Sequence, residues 1–151
     1  MNSKTSKLKV YFTCAIKHAP PEYKQMIGRV VAYIKTIEFV QLLEFVNPIT
    51  ELSHQEVYKH DIHDCVKNAD VVLGESSFPS FGQGYEFGTS VEKHGHPTVA
   101  FVSKTAQVSK FVFGIECDLN PLYKIVAYEN ETELLTLIEE FLQKEYKKRC
   151  Q

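Results

Sequence analysis

The amino-acid sequence predicts an α/β protein, a doubly wound five-stranded parallel sheet in the flavodoxin-like order 2-1-3-4-5. Two observations carry this expectation. Five short apolar runs alternate with five stretches of helical periodicity, a pattern that requires a parallel sheet covered by helices on both faces. The run DVVLGE at residues 70–75 is apolar enough to be buried on both faces, as a central parallel strand must be. The preferred hand of each strand–helix–strand crossover then gives the doubly wound arrangement.

The elements follow in order. Residues 9–13 (KVYFT) form the first strand. Pro20 and Pro21 open the first helix, because proline suits a first turn whose N–H groups have no intrahelical partner. Its apolar stripe is Met26, Ile27, Val30, Val31, Ile34 and Ile37. A second strand lies within 39–46, and an irregular stretch with Asn47-Pro48 follows. Ser53 with Glu56 three residues on is a capping box. The helix it starts buries Val57, Ile62, Val66 and Ala69. The third strand, 70–75, leads into a loop at 76–84 and a helix to about His94. Residues 97–103 (PTVAFVS) are the fourth strand, 107–113 a short helix and 123–128 the fifth strand. The last helix begins near Asn130 and buries Leu134, Leu135, Ile138, Phe141 and Leu142.

At 151 residues the chain reads as one domain, residues 1–151, with a flexible N-terminus over residues 1–7. Hydrophobic residues make up 44 % and charged residues 24 %, with a formal net charge of −2. That balance is ordinary for a globular protein and lacks the basic excess that grips nucleic acid. The four cysteines, Cys14, Cys65, Cys117 and Cys150, show no C-x-x-C spacing and are expected to be reduced thiols. No apolar run approaches the roughly 20 residues of a membrane helix, and the N-terminus lacks a signal-peptide pattern. A cytoplasmic protein with no membrane and no nucleic-acid partner is expected. His60 and His63, and His94 and His96, come without a third ligand, so no metal site is expected. Neither a P-loop nor a G-x-G-x-x-G motif occurs, and no cofactor is expected.

In a doubly wound sheet, ligands bind at the carboxyl ends of the strands beside the point where strand order reverses. Here that point lies between the first and third strands, so the loops at 14–20 and 76–84 should build the site. The second loop is rich in hydroxyls and glycines and runs into a helix: SSFPSFGQGYE, residues 76–86. N–H groups at such a helix start favour a phosphate, and Gly82 and Gly84 allow close backbone approach. An ordinary turn with a helix cap has the same composition. Glu86 falls in the first helical turn. There it either pairs with the helix dipole or aims a carboxylate into the site, with the dipole keeping it ionised as a nucleophile requires. Asp61 and Asp64, on the helix before the third strand, are either a solvated face or the second carboxyl group that glycosyl transfer with retention uses.

The stretch at 69–88, ADVVLGESSFPSFGQGYEFG, resembles the nucleoside 2-deoxyribosyltransferase superfamily. It is most similar to the 2′-deoxynucleoside 5′-phosphate N-hydrolase branch. A buried strand, Pro-Ser, the two glycines and Gly-Tyr-Glu all fall in register. VYFTCAIK at 10–17 is similar to the family's first-strand segment, and SKFVFG at 109–114 to a later Ser-x-x-x-x-Gly segment. The resemblance implies an N-glycosidase that hydrolyses the base–sugar bond of a nucleoside 5′-monophosphate through a covalent glycosyl ester on Glu86. Tyr11 then contacts the nucleophile or the sugar, and Asp61 assists the departing base or orients Glu86, with Asp64 the weaker candidate. Ile16, Lys17, Ser80 and Gly82 match positions that hold sugar and phosphate, and Gly84 joins them as a substrate-binding candidate through the close backbone approach it allows. Ser109 reaches the phosphate of a neighbouring subunit, which implies a homodimer.

The chain also departs from the family. Cys14-Ala15-Ile16-Lys17-His18 replaces Gly-Ser-Ile-Arg-Gly, so two glycines and a hydroxyl are absent. Lysine supplies the charge of arginine but not its bidentate fork. Phe45 stands where many relatives have histidine. Related cytidine monophosphate hydrolases use the same scaffold on ribonucleotides. Two other activities fit the same motif: a nucleoside 2-deoxyribosyltransferase and a nucleotide-binding sensor without turnover.

Overall fold

A computed structural model describes residues 6–44 and 51–151. Five parallel strands form one sheet in the order β2-β1-β3-β4-β5, as the sequence predicts. They are β1 (Leu8–Cys14), β2 (Val40–Leu43), β3 (Val71–Glu75), β4 (Thr98–Ser103) and β5 (Tyr123–Tyr128). β3 is buried at every residue, as its apolar run Val71-Val72-Leu73 requires, and the burial extends to Glu75 at its end. β2 lies within the expected range 39–46, of which Phe45 and Val46 fall outside the described residues, as do Asn47 and Pro48.

Strand periodicity sorts the core into two layers. One face of the sheet carries Val10, Phe12, Cys14, Val71 and Leu73. Against it pack α1 (Pro21–Thr36), through Tyr23, Ile27, Val30 and Ile34, and α5 (Glu131–Cys150), through Leu134, Ile138 and Leu142. Arg29 of α1 joins these two helices by a bidentate pair to Glu131, with both bonds at 2.8 Å. The opposite face carries Tyr11, Val72 and Ala100, covered by Ile62, Cys65, Val66 and Phe87.

The capping box expected at Ser53 and Glu56 forms and starts α2 (His54–Tyr58). The single helix expected beyond it does not. After five residues the chain widens into a π-helical stretch, Lys59–Cys65, and then tightens into a 3₁₀ turn, Val66–Asn68. π-helical turns inside α-helices concentrate at functional sites, and this one carries Asp61. The helix α3 (Phe81–Gly88) also continues as a π-helical stretch, Thr89–His94, which Gly95 ends at φ 63°. The short helix after β4 lies later than expected: α4 spans Lys110–Ile115, because Ser109 caps it by accepting from the Phe111 N–H at 3.2 Å.

Candidate active site

β1 and β3 are adjacent, and α3 crosses their carboxyl ends on the face that carries Tyr11. Strand periodicity puts Tyr11 and Thr13 on the same side of β1. Both hydroxyls converge on Glu86. Tyr11 donates to Oε1 at 2.8 Å, and Thr13 donates to Oε2 in a short hydrogen bond. Glu86 is only 8 % exposed, so its carboxylate has exchanged water for two fixed hydroxyl donors.

Glu86 does not lie in the first turn of its helix, contrary to expectation. Ser80 is the N-cap, accepting from the Gln83 N–H at 3.3 Å, and the first turn holds no acidic residue. The helix dipole acts chiefly within that first turn, so it does not govern the ionisation of Glu86. Burial does. It pushes the carboxyl up from 4.5 to about 7, against the lowering effect of the Thr13 and Tyr11 hydrogen bonds, and the charge of Asp61 adds to the rise.

Asp61 therefore belongs to the same electrostatic neighbourhood. Its side chain is 18 % exposed and lies 3.0 Å from Nδ1 of His60. The Tyr11 hydroxyl is held strongly in its protonated form, first by burial and then by Glu86 and Asp61. Asp64, one turn on, is exposed, and its charge contributes to the rise of the Cys65 thiol. The thiols of Cys65 and Cys14 are both pushed up to about 12, chiefly by burial, and so stay protonated.

The structure thus brings together three of the expected residues: Glu86, Tyr11 and Asp61. The others lie around them. Lys17 is exposed and Ile16 half-buried in the loop after β1. Ser80 and Gly82 stand at the start of α3, and Gly84 opens instead onto a groove between α3 and α4. Ser109 is exposed at the start of α4. A mostly apolar cavity of about 330 Å³ touches Cys14, Ala15 and Ile16 but lies between α1 and the edge of the sheet, on the face away from Glu86.

Three residues that build the site, and one that braces the loop behind it, went unread in the sequence. Thr13 is the clearest, and the two-residue period from Tyr11 was the available signal. Gly74 pairs with Thr13 across the sheet, and a Cβ there would stand 2.4 Å from Cζ of Phe87 and 2.9 Å from Nε2 of Gln83. Only glycine lets α3 settle this close to the strands. Gln83 bonds both strand ends. Glu75 is a second buried carboxylate, 0 % exposed, bonded to the Ser77 N–H and hydroxyl and to the Tyr128 hydroxyl at 2.8 Å. It knits the loop after β3 to β5 on the face opposite Glu86.

Among the described residues no group of histidine, cysteine and acidic side chains has a metal-binding arrangement, and no helix is long and apolar enough to cross a membrane. No family model matches the chain, and no curated protein sequence does. Solved structures do match. One is the structure of a Clostridium botulinum CMP N-glycosidase, BcmB, with a TM-score of 0.65 over 88 % of this chain and 98 % of that one, at 17 % identity. At that identity the two proteins share a fold.

Proposed function

We propose that this protein is an N-glycosidase that hydrolyses the base–sugar bond of a nucleoside 5′-monophosphate, with Glu86 as the nucleophile. The observation that carries the reading is the buried Glu86 carboxylate held between the Tyr11 and Thr13 hydroxyls at the carboxyl ends of β1 and β3. The shared fold with a CMP N-glycosidase and the Pro-Ser…Gly-Tyr-Glu motif support it.

In the proposed chemistry one oxygen of Glu86 attacks the anomeric carbon. A carbon–oxygen bond forms as the carbon–nitrogen bond breaks, and the electron pair leaves with the base, which takes up a proton. Asp61 assists that departure. Water then attacks the same carbon and loses one proton, which balances the proton taken up by the base, the ester carboxylate leaves, and the sugar phosphate is released with net retention. Lys17, Ser80 and Ser109 address the phosphate, with Ile16 and Gly82 lining the sugar; Gly84, which faces the groove between α3 and α4, takes no part.

The reading includes a homodimer in which Ser109 serves the neighbour's site. Phe111 and Phe113 are exposed on the element that Ser109 caps. Beside them lies a groove of about 440 Å³ lined by Gly84, Tyr85, Gly88, Val91, Phe111 and Ile115.

A panel of nucleosides and nucleotides, with and without an acceptor base, tests the whole proposal when free base is followed by chromatography. Free base from a nucleotide without acceptor is the expected result. Turnover only with an acceptor identifies a transferase, and binding without turnover a sensor. In Glu86→Gln, activity above a hundredth of wild type overturns the assignment of the nucleophile.

A further inference from the structure

Gln83 is a buried polar residue, 5 % exposed, to which the proposed chemistry gives no part. Its Nε2 donates to the backbone carbonyl of Thr13 at 3.2 Å and to that of Glu75 at 2.8 Å. One carbonyl lies one residue before the end of β1 and the other ends β3, so the amide bridges the carboxyl ends of the two adjacent strands. Gly74 makes the space it occupies, since a Cβ there would meet Nε2 at 2.9 Å. The backbone that Gln83 grips at Thr13 carries the hydroxyl that caps Oε2 of Glu86. Glu86 lies three residues beyond Gln83 on the same helix, so both ends of the Thr13–Glu86 hydrogen bond are tied to one amide.

We propose that Gln83 is a positioning residue for Glu86, acting by holding the Thr13 hydroxyl against Oε2. The consequence for catalysis rests on Glu86 being the nucleophile, whereas the geometry requires no turnover at all. A buried amide with two carbonyl acceptors is costly to disturb, because removing it leaves both carbonyls without that donor. The expected effect therefore separates from simple packing: it appears in the ionisation of a carboxyl group that Gln83 does not touch.

The test is a titration of the Glu86 carboxyl by ¹³C NMR in glutamate-labelled protein, its signal assigned as the one lost in Glu86→Gln. A hydroxyl donated to a carboxylate stabilises the charged form, so Gln83→Met should raise the midpoint by about half a pH unit or more. Thr13→Val should raise it too. On the Thr13→Val background Gln83→Met should add nothing further, because the two act through one contact. Should Gln83→Met fail to fold, Gln83→Asn replaces it: the shorter amide cannot span both carbonyls. A folded Gln83 variant that titrates at the wild-type pH overturns the proposal, as does a full additive shift on Thr13→Val. Glu86→Gln that still turns over defeats the nucleophile reading instead and leaves the titration standing.

Discussion

The hydroxyl of Tyr11 and the carboxylate of Glu86 meet at 2.8 Å across 75 residues of sequence, both among the buried residues. Tyr11 is fully buried, packed with Val72 and Phe87, so the donor has no freedom to swing away. A donor fixed by packing costs no reorganisation when the charge on its partner changes. That rigidity ties the core of the fold to the candidate nucleophile.

Tyr11→Phe should therefore leave the fold intact, since the ring keeps its place, while removing one of the two hydroxyls on Glu86. Hydrogen bonds to charged groups contribute about 1.5–3 kcal/mol, which corresponds to a loss of roughly ten- to a hundredfold in kcat. Steady-state kinetics with a thermal melt alongside would check it. An unchanged kcat in a folded variant would remove Tyr11 from the mechanism.

The pH dependence of activity follows from the burial of Glu86. A nucleophile must be ionised, and its carboxyl is pushed up to about 7 in the free protein. The kcat/KM profile should then fall on the acid side with a midpoint near 7, well above the range of an exposed carboxylate. A profile flat down to pH 5 would contradict the assignment.

The same shift makes a stability prediction with a definite sign. Between 4.5 and about 7 the unfolded chain releases the Glu86 proton while the folded chain keeps it, so stability falls as pH rises through that window. A rise of this size corresponds to roughly 3 kcal/mol above pH 7, absent below 4.5. Glu86→Gln carries no such cost. Its stability relative to wild type should improve between pH 4.5 and 7 and level off above. Urea unfolding of both proteins across that range measures the difference.

The sheet order was legible because it depends on patterns one sequence carries, whereas Tyr11 beside Glu86 was expected only from the family resemblance and Thr13 was not expected. An apolar β3 and alternating periodicities specify the topology, and the Gly-Tyr-Glu motif marks the carboxylate. Position within α3 was misjudged for a local reason: Ser80 rather than a later residue caps the helix, so Glu86 falls beyond the first turn. Gln83 and Gly74 were not legible because each has meaning only against the other. A glycine in a strand and a glutamine in a helix become a site feature once the strands bring Gly74 beneath the Gln83 amide. The π-helical stretch around Asp61 has no single-residue signal either.

The remaining prediction joins phosphate recognition to assembly. Ser109 caps α4 and is exposed beside Phe111 and Phe113, both also exposed. Burying such aromatic surface against a twofold-related copy would contribute about 25 cal/mol per Å² of apolar area and place the two Ser109 residues reciprocally. Phe111→Glu should then split the dimer, since a charge without a partner is costly at a buried interface. If Ser109 completes the neighbour's phosphate pocket, the same substitution should raise KM for the nucleotide and leave the slower cleavage of the nucleoside unchanged. Lys17→Ala should raise KM for the nucleotide without altering assembly, because Lys17 is exposed on the loop after β1. Sedimentation velocity at micromolar concentration reads the first effect and paired kinetics on nucleotide and nucleoside read the second. A wild-type monomer fully active on nucleotides would show that each chain carries a complete phosphate site of its own. Equal kcat/KM for nucleotide and nucleoside would remove phosphate recognition altogether.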